Sequence, residues 1–180
     1  MKYLKLFIIK VLRYLLKPLS FLPAILVMYL IFNFSAQEGI ESAALSHKIS
    51  HKIVVVADKV LDKNWDEAMV AWQTERIHPY VRKAAHVAEY FSLAVAIAFP
   101  LYVYGIRGIW MMLLAGAFCV GFAGLDEYHQ SFVAGRGPSG KDVLIDCIGI
   151  LPGLIAVRIV GYIGRTTIFR PLALNKGGKD

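Results

Sequence analysis

His86 and Glu89 stand three residues apart inside an otherwise apolar run. Asp126, Glu127 and Gln130 close a second such run, and Asp142 and Asp146 open a third. Ionisable side chains inside apolar runs are expensive and are functional candidates by default. On a helix, Arg82 or Lys83, then His86, then Glu89 or Tyr90 recur every three or four residues and share one stripe. A histidine beside a carboxylate suits general acid–base catalysis, because burial and a neighbour can bring the imidazole pKa near working pH. The same two groups also suit a structural pair in which each partner offsets the other's desolvation. His86, Glu89, Asp126, Glu127 and Asp142 are therefore the candidate catalytic groups. Arg82, Lys83, Tyr90, Gln130, Arg136 and Asp146 are the candidate ligand-binding groups.

Arg136 lies in Val133-Ala134-Gly135-Arg136-Gly137-Pro138-Ser139-Gly140, a turn-rich stretch that can bring backbone N–H groups close to a ligand. Its planar fork suits a phosphate or a carboxylate. The plainer reading pairs it with one of the carboxylates of the apolar runs. Five carboxylates with His86 form an oxygen-rich set of the kind that holds Mg, Ca or Mn. Arg82, Lys83 and Arg136 compete to neutralise them, so no metal site is assigned, and the sequence specifies no cofactor.

Other polar residues carry weaker signals. His47 and His51 are four apart, a spacing that binds zinc only with further ligands, and a solvated helix face accounts for them. His78 has no evident partner, and His129 adjoins the carboxylates as a secondary candidate. Ser92, Ser131 and Ser139 lie in no nucleophile-elbow context, and the stretch 135–141 lacks the spacing of a phosphate-binding loop. Cys119 and Cys147 sit in separate apolar runs and read as packing residues.

The elements that must position these groups follow from composition. The chain has 180 residues, 57% of them hydrophobic and 18% charged, with a mean hydropathy of +0.55. Apolar content exceeds, and charge falls below, that of ordinary soluble domains, and the length allows one domain. The excess falls in four runs near the length that crosses a bilayer: 19–34, 84–104, 109–125 and 143–163. The expected fold is all-α, a polytopic membrane protein of four transmembrane helices. Residues 1–17 should form a basic amphipathic interfacial helix, 18–163 the membrane domain, and 164–180 a basic tail. A cleaved signal peptide is disfavoured, because Phe34 stands where a small residue should precede the cleavage site.

Within the outer segment 35–82, Leu45, Ile49, Ile53, Val56 and Val60 mark an amphipathic helix over 43–61. Trp65, Trp72 and Tyr80 suit an interface. Twenty Lys and Arg against thirteen Asp and Glu leave a net +7. Most of the surplus flanks apolar runs, where it sets topology and meets anionic lipid, so nucleic acid is excluded as a partner. The bias is strongest before the first run, so both termini are expected in the cytoplasm. Antiparallel threading then brings all three polar groups to one, outer, face. Asp142, Asp146, Gly149 and Gly153 form one line along the fourth run, and its glycines allow close helix approach.

Taken in order, these pieces resemble the VanZ-like family of bacterial integral membrane proteins. They are Phe34-Ser35-Ala36-Gln37, Arg82-Lys83-Ala84-Ala85-His86-Val87-Ala88-Glu89-Tyr90, Asp126-Glu127-Tyr128-His129-Gln130, and Gly135-Arg136 followed by Asp142-Val143-Leu144-Ile145-Asp146-Cys147-Ile148-Gly149. The resemblance covers about 32–153. It implies a protein of the bacterial cytoplasmic membrane that touches the cell envelope. It also implies an association with reduced susceptibility to the lipoglycopeptide teicoplanin.

The expected function is binding, with or without chemical processing, of an amphiphile whose polar or anionic head meets the cluster. Membrane lipids, a lipid-linked envelope precursor or a lipoglycopeptide are the expected partners. The alternatives are a non-enzymatic accessory or scaffold subunit of an envelope complex, and a small transporter. Four spans without an internal repeat would require the transporter to oligomerise.

Overall fold

A computed structural model describes residues 17–137 and 139–167, together with Phe7, Val11 and Tyr14. Most of the expected interfacial helix over 1–17 and most of the tail over 164–180 lie outside the described residues. Five helices follow in order: α1 (Leu22–Ser35), α2 (Gly39–Leu61), α3 (Glu67–Val103), α4 (Gly108–Gln130) and α5 (Gly140–Thr166). Among the described residues, four helical segments are long and apolar enough to cross a membrane: Lys17–Ser35, which contains α1, and the whole of α3, α4 and α5. Their outer surfaces expose Leu26, Tyr29, Leu113, Leu114, Phe118, Leu151 and Ile159, the reverse of a soluble domain.

Local chemistry sets the boundaries. Asp66 caps α3 by accepting a hydrogen bond from the Met69 N–H at 2.8 Å. At the other end of α3, Gly105 takes φ 93°. Its N–H donates to Tyr102 O, and the Ile106 N–H donates to Leu101 O at 2.9 Å. That pair of bonds is a Schellman cap, which needs a left-handed residue that glycine adopts at no steric cost. It reverses the chain into α4 within five residues.

α3 is the hub. It contacts α1, α2, α4 and α5, and its contact with α5 is the most extensive. The reason is the glycine line expected from the sequence. A methyl group at Gly149 would overlap the Val87 carbonyl oxygen, and one at Gly153 would lie 2.7 Å from Phe91 O. The two backbones therefore meet without intervening side chains. Tyr102 closes the far end by donating to Gly161 O at 2.7 Å. The core between the helices is Tyr90, Leu93, Ala94 and Ala98 of α3, Met111, Ala115, Cys119 and Ala123 of α4, and Ile150 and Leu154 of α5. Cys119 is buried there, and neither cysteine is bonded to the other.

Two features depart from the sequence pattern. First, α3 begins at Glu67 rather than near Ala84. Its 37 residues span about 55 Å at 1.5 Å per residue, far more than a ~30 Å hydrocarbon core. Pro79 lies inside it and leaves the helix continuous. The extra turns pair with α2 as an antiparallel hairpin. Asp62 and Asn64 turn it, with φ of 48° and 52°. Second, the aliphatic stripe of α2 is not the face that packs. Ser46, Ser50 and Val54 are buried, and on α3 so is Thr74, while Leu45, Ile49, Ile53, Val56 and Val60 are all exposed. Small residues admit close axes, and their hydroxyls are satisfied by the preceding turn: Ser50 donates to Ser46 O at 2.8 Å and Thr74 to Val70 O at 2.7 Å.

Candidate functional site

The polar residues of α3, α4 and α5 converge at the end of the bundle where α1 stops and the α4–α5 loop crosses. Each carboxylate has a distinct setting. Asp126 is a buried hub between α1 and α4. Its Oδ2 accepts from Ser35 Oγ at 2.8 Å and from Gln130 Nε2 at 2.9 Å, and Gln130 Nε2 also reaches Ser35 Oγ at 3.2 Å. Asp126 Oδ1 is buried with no hydrogen-bond partner among the described residues. Glu127 faces the loop instead, and its Oε2 accepts from the Ser139 N–H at 2.8 Å, which anchors the start of α5. Asp146 is buried on α5 with Oδ1 3.6 Å from His86 Nδ1. Glu89 Oε2 lies further from the same nitrogen, at 3.9 Å. Asp142 is half-buried in the first turn of α5. Tyr90 is fully buried with its hydroxyl unpartnered.

The cations are placed differently from the carboxylates. Arg82, His86, Glu89 and Arg136 line one pocket of about 190 Å³. Its other walls are Phe34, Ser35 and Gln37 at the end of α1, and Ser42, Leu45, Ser46 and Ile49 of α2. Arg136 Nη2 donates to the Phe34 carbonyl oxygen at 2.9 Å. The plainer expectation, an ion pair with a bundle carboxylate, is not what forms. Among the described residues no Arg or Lys lies within 4.0 Å of an Asp or Glu oxygen; the ion pairs there all involve histidine. Burial, and next the charge of Arg82, lower the Arg136 pKa, against the opposing pull of Asp126, Glu89 and Glu127. The guanidinium remains a cation, because arginine does not lose its proton in proteins. Lys83 is exposed and does not line the pocket.

The loop is held by backbone. Gly39 N–H donates to Ala134 O at 3.1 Å, and a methyl group at Gly39 would overlap Gly135 O. Gly135 itself takes φ 73°. Two glycines thus let the loop sit directly on the start of α2, which places Arg136 over the end of α1.

The remaining histidines divide. His47 Nε2 lies 3.1 Å from Glu75 Oε1, and His78 Nε2 lies 2.9 Å from Ser46 Oγ. Both join α2 to α3. His51 is exposed. His129 stacks on Phe32 with ring centroids 4.3 Å apart. Among the described residues, no group of three or more His, Cys, Asp or Glu side chains is placed to hold a metal ion.

Ser35, Phe34, Leu45 and Ile49 belong to this site and were not singled out as site residues. Ser35 and Phe34 had a signal, since they stand in the short polar stretch after the first apolar run. Leu45 and Ile49 read as a helix face to be buried. Only the contact of α2 through its serines leaves them free to wall a pocket.

Four membrane-length apolar helices gathered around buried acids define a polytopic α-helical membrane protein. More narrowly, the chain belongs to the VanZ/LLP1 family, whose model matches residues 20–161. The match takes in most or all of each spanning segment, the hairpin and every residue of the polar cluster. No curated protein and no solved structure matches the chain.

Proposed function

We propose that this protein is a bacterial cytoplasmic-membrane protein that binds an amphiphile with an anionic or polar head at the polar end of the bundle. Both termini lie in the cytoplasm, and the polar end meets the outer leaflet. The observation that carries the reading is the pocket lined by Arg82 and Arg136 together with His86 and Glu89, in which neither arginine touches a carboxylate among the described residues. Two guanidinium groups so placed favour an anion, and Arg suits a phosphate or carboxylate better than Lys does. Across the same pocket stand Leu45 and Ile49, the first members of the exposed α2 stripe that runs on to Ile53, Val56 and Val60. A volume of about 190 Å³ suits a head group, and the stripe offers an apolar track for its chain. Phospholipids, lipid-linked wall precursors and lipoglycopeptides all carry this chemistry, the last in keeping with the link between the family name and teicoplanin resistance.

Binding without turnover is the favoured form. Two of the five candidate catalytic groups, Asp126 and Glu127, each commit one oxygen to structural donors, Oδ2 to Ser35 and Gln130 and Oε2 to the Ser139 N–H. Acid–base processing of the head group is the second reading. It is favoured by His86, whose Nδ1 lies near Asp146 and Glu89 and could pass a proton between them and the pocket.

The test is to extract the protein with its native lipid and identify what co-purifies by mass spectrometry. Wild type should retain a specific amphiphile. Arg136→Ala should deplete it about ten-fold or more, the scale of losing a charge-assisted hydrogen bond, with the melting temperature little changed. His86→Ala should deplete it less. Identical profiles in all three would overturn the proposal in favour of a scaffold role.

A further inference from the structure

The opposite end of the bundle holds a second cavity of about 690 Å³, lined by Tyr102 of α3, Arg107 before α4, Gly108, Met111 and Met112 of α4, and Ile155, Arg158, Ile159, Tyr162 and Arg165 of α5. Among the described residues, three arginines and no acid border it. Arg107 and Asp126 lie 19 positions apart on or beside α4, so the two sites are separated by roughly 28 Å at 1.5 Å per residue, about a hydrocarbon thickness.

We infer that this cavity is a site for an anionic phospholipid, with the head-group phosphate against Arg107, Arg158 and Arg165 and an acyl chain along Met112, Ile155 and Ile159. Arg158 lies within the apolar run of α5 and is exposed. There a cation is expensive without an anion. Among the described residues its guanidinium makes one hydrogen bond, from Nη1 to Met112 Sδ at 3.3 Å, a weak acceptor. Among the described residues no carboxylate lies within 4.0 Å of any of the three arginines. Arg107 lies over the Tyr102 ring, its guanidinium carbon 5.1 Å from the centroid, which fixes its direction without neutralising it. The unpaired first-turn N–H groups of α4 at Gly108 add positive potential at the same place. The apolar wall is continuous, from buried Met111 out to exposed Ile159. Charge complementarity thus asks for an anion, and the adjoining wall asks for a chain.

Trp110, exposed in the first turn of α4, stands at this level and serves as the reporter. In a Trp65→Phe, Trp72→Phe background it is the single tryptophan of the chain. The protein is reconstituted in phosphatidylcholine vesicles, and its fluorescence is titrated with brominated phosphatidylglycerol or brominated phosphatidylcholine. The glycerol lipid should quench at a lower mole fraction, by on the order of five-fold per arginine contact, given about 1 kcal/mol per basic residue near an anionic surface. Arg158→Gln and Arg107→Gln should each reduce that preference, with helicity unchanged by circular dichroism. Arg76→Gln, on the exposed hairpin, removes the same charge elsewhere and should leave it intact. Equal quenching by the two lipids in the unsubstituted background would overturn the proposal and leave the arginines as snorkelling anchors. So would a preference that all three substitutions reduce alike, since that would mark diffuse attraction rather than a site.

Discussion

The two ends of the bundle handle charge in opposite ways. At one end, acids are drawn inward and fixed by specific donors: Asp126 by Ser35 and Gln130, Glu127 by the Ser139 N–H. At the other, arginines point outward around an open cavity, and none meets an acid among the described residues. The same three helices, α3, α4 and α5, build both ends. The difference teaches that intramembrane charge here has two uses. Buried acids tie helices together and border a small pocket, whereas the arginines of the open end have no acid partner among the described residues.

Substitutions sharpen that contrast in order of expected effect. The largest should come from the line both ends share. Gly149→Ala places a methyl group against the Val87 carbonyl, which is backbone and cannot rotate away. It should cost about 3 kcal/mol, at the upper end for overpacking, and lower the melting temperature in lipid nanodiscs. An unchanged melting curve would show that α3 and α5 do not rely on backbone contact.

Next is Asp126→Ala, which strips the acceptor from two buried donors at once. A cost of about 2 kcal/mol is expected, with Asp126→Asn milder because one oxygen remains. Ligand-free protein should show the loss in full, since the role is structural. If Asp126→Ala alters only what co-purifies and not the melting temperature, the polar end is all ligand site and the comparison fails. Glu127→Ala removes one charge-assisted bond to the Ser139 N–H and should cost about 1.5 kcal/mol. Faster hydrogen exchange confined to 131–140 is the measurement that checks it. Smallest is Arg158→Gln at the other end: exposed, and unpaired with any acid among the described residues, it should change stability by less than about 0.5 kcal/mol, while the lipid preference of the cavity falls. A large loss of melting temperature there would erase the distinction between the two ends.

Much of the architecture was legible in the residues. The runs 19–34, 84–104, 109–125 and 143–163 mark the helices that can span, because a predominantly apolar stretch of that length has no other favourable place. The convergence of His86, Asp126 and Asp146 follows from antiparallel order alone. The close approach at Gly149 and Gly153 follows from their alignment below Asp142 and Asp146. The extent of α3 was not legible, because the polar turns from Glu67 to Lys83 lack the hydropathy of a span and contain Pro79, a residue that usually ends a helix and here leaves it continuous.

Periodicity assigns each side chain to a face of its own helix, and the sequence by itself determined that much: four spans, one polar end, one glycine line. It is silent on the register between helices, which depends on how closely two backbones approach. Only the tertiary structure decided that His86 lies nearer to Asp146 than to Glu89, its neighbour in sequence. It alone decided that Asp126 answers Ser35 of another helix, and that Arg136 takes a backbone carbonyl instead of an acid. The physical reason is the same in α2, where small Ser46 and Ser50 win the contact because they let the axes close. Leu45 and Ile49 are thereby left to wall a pocket rather than fill a core.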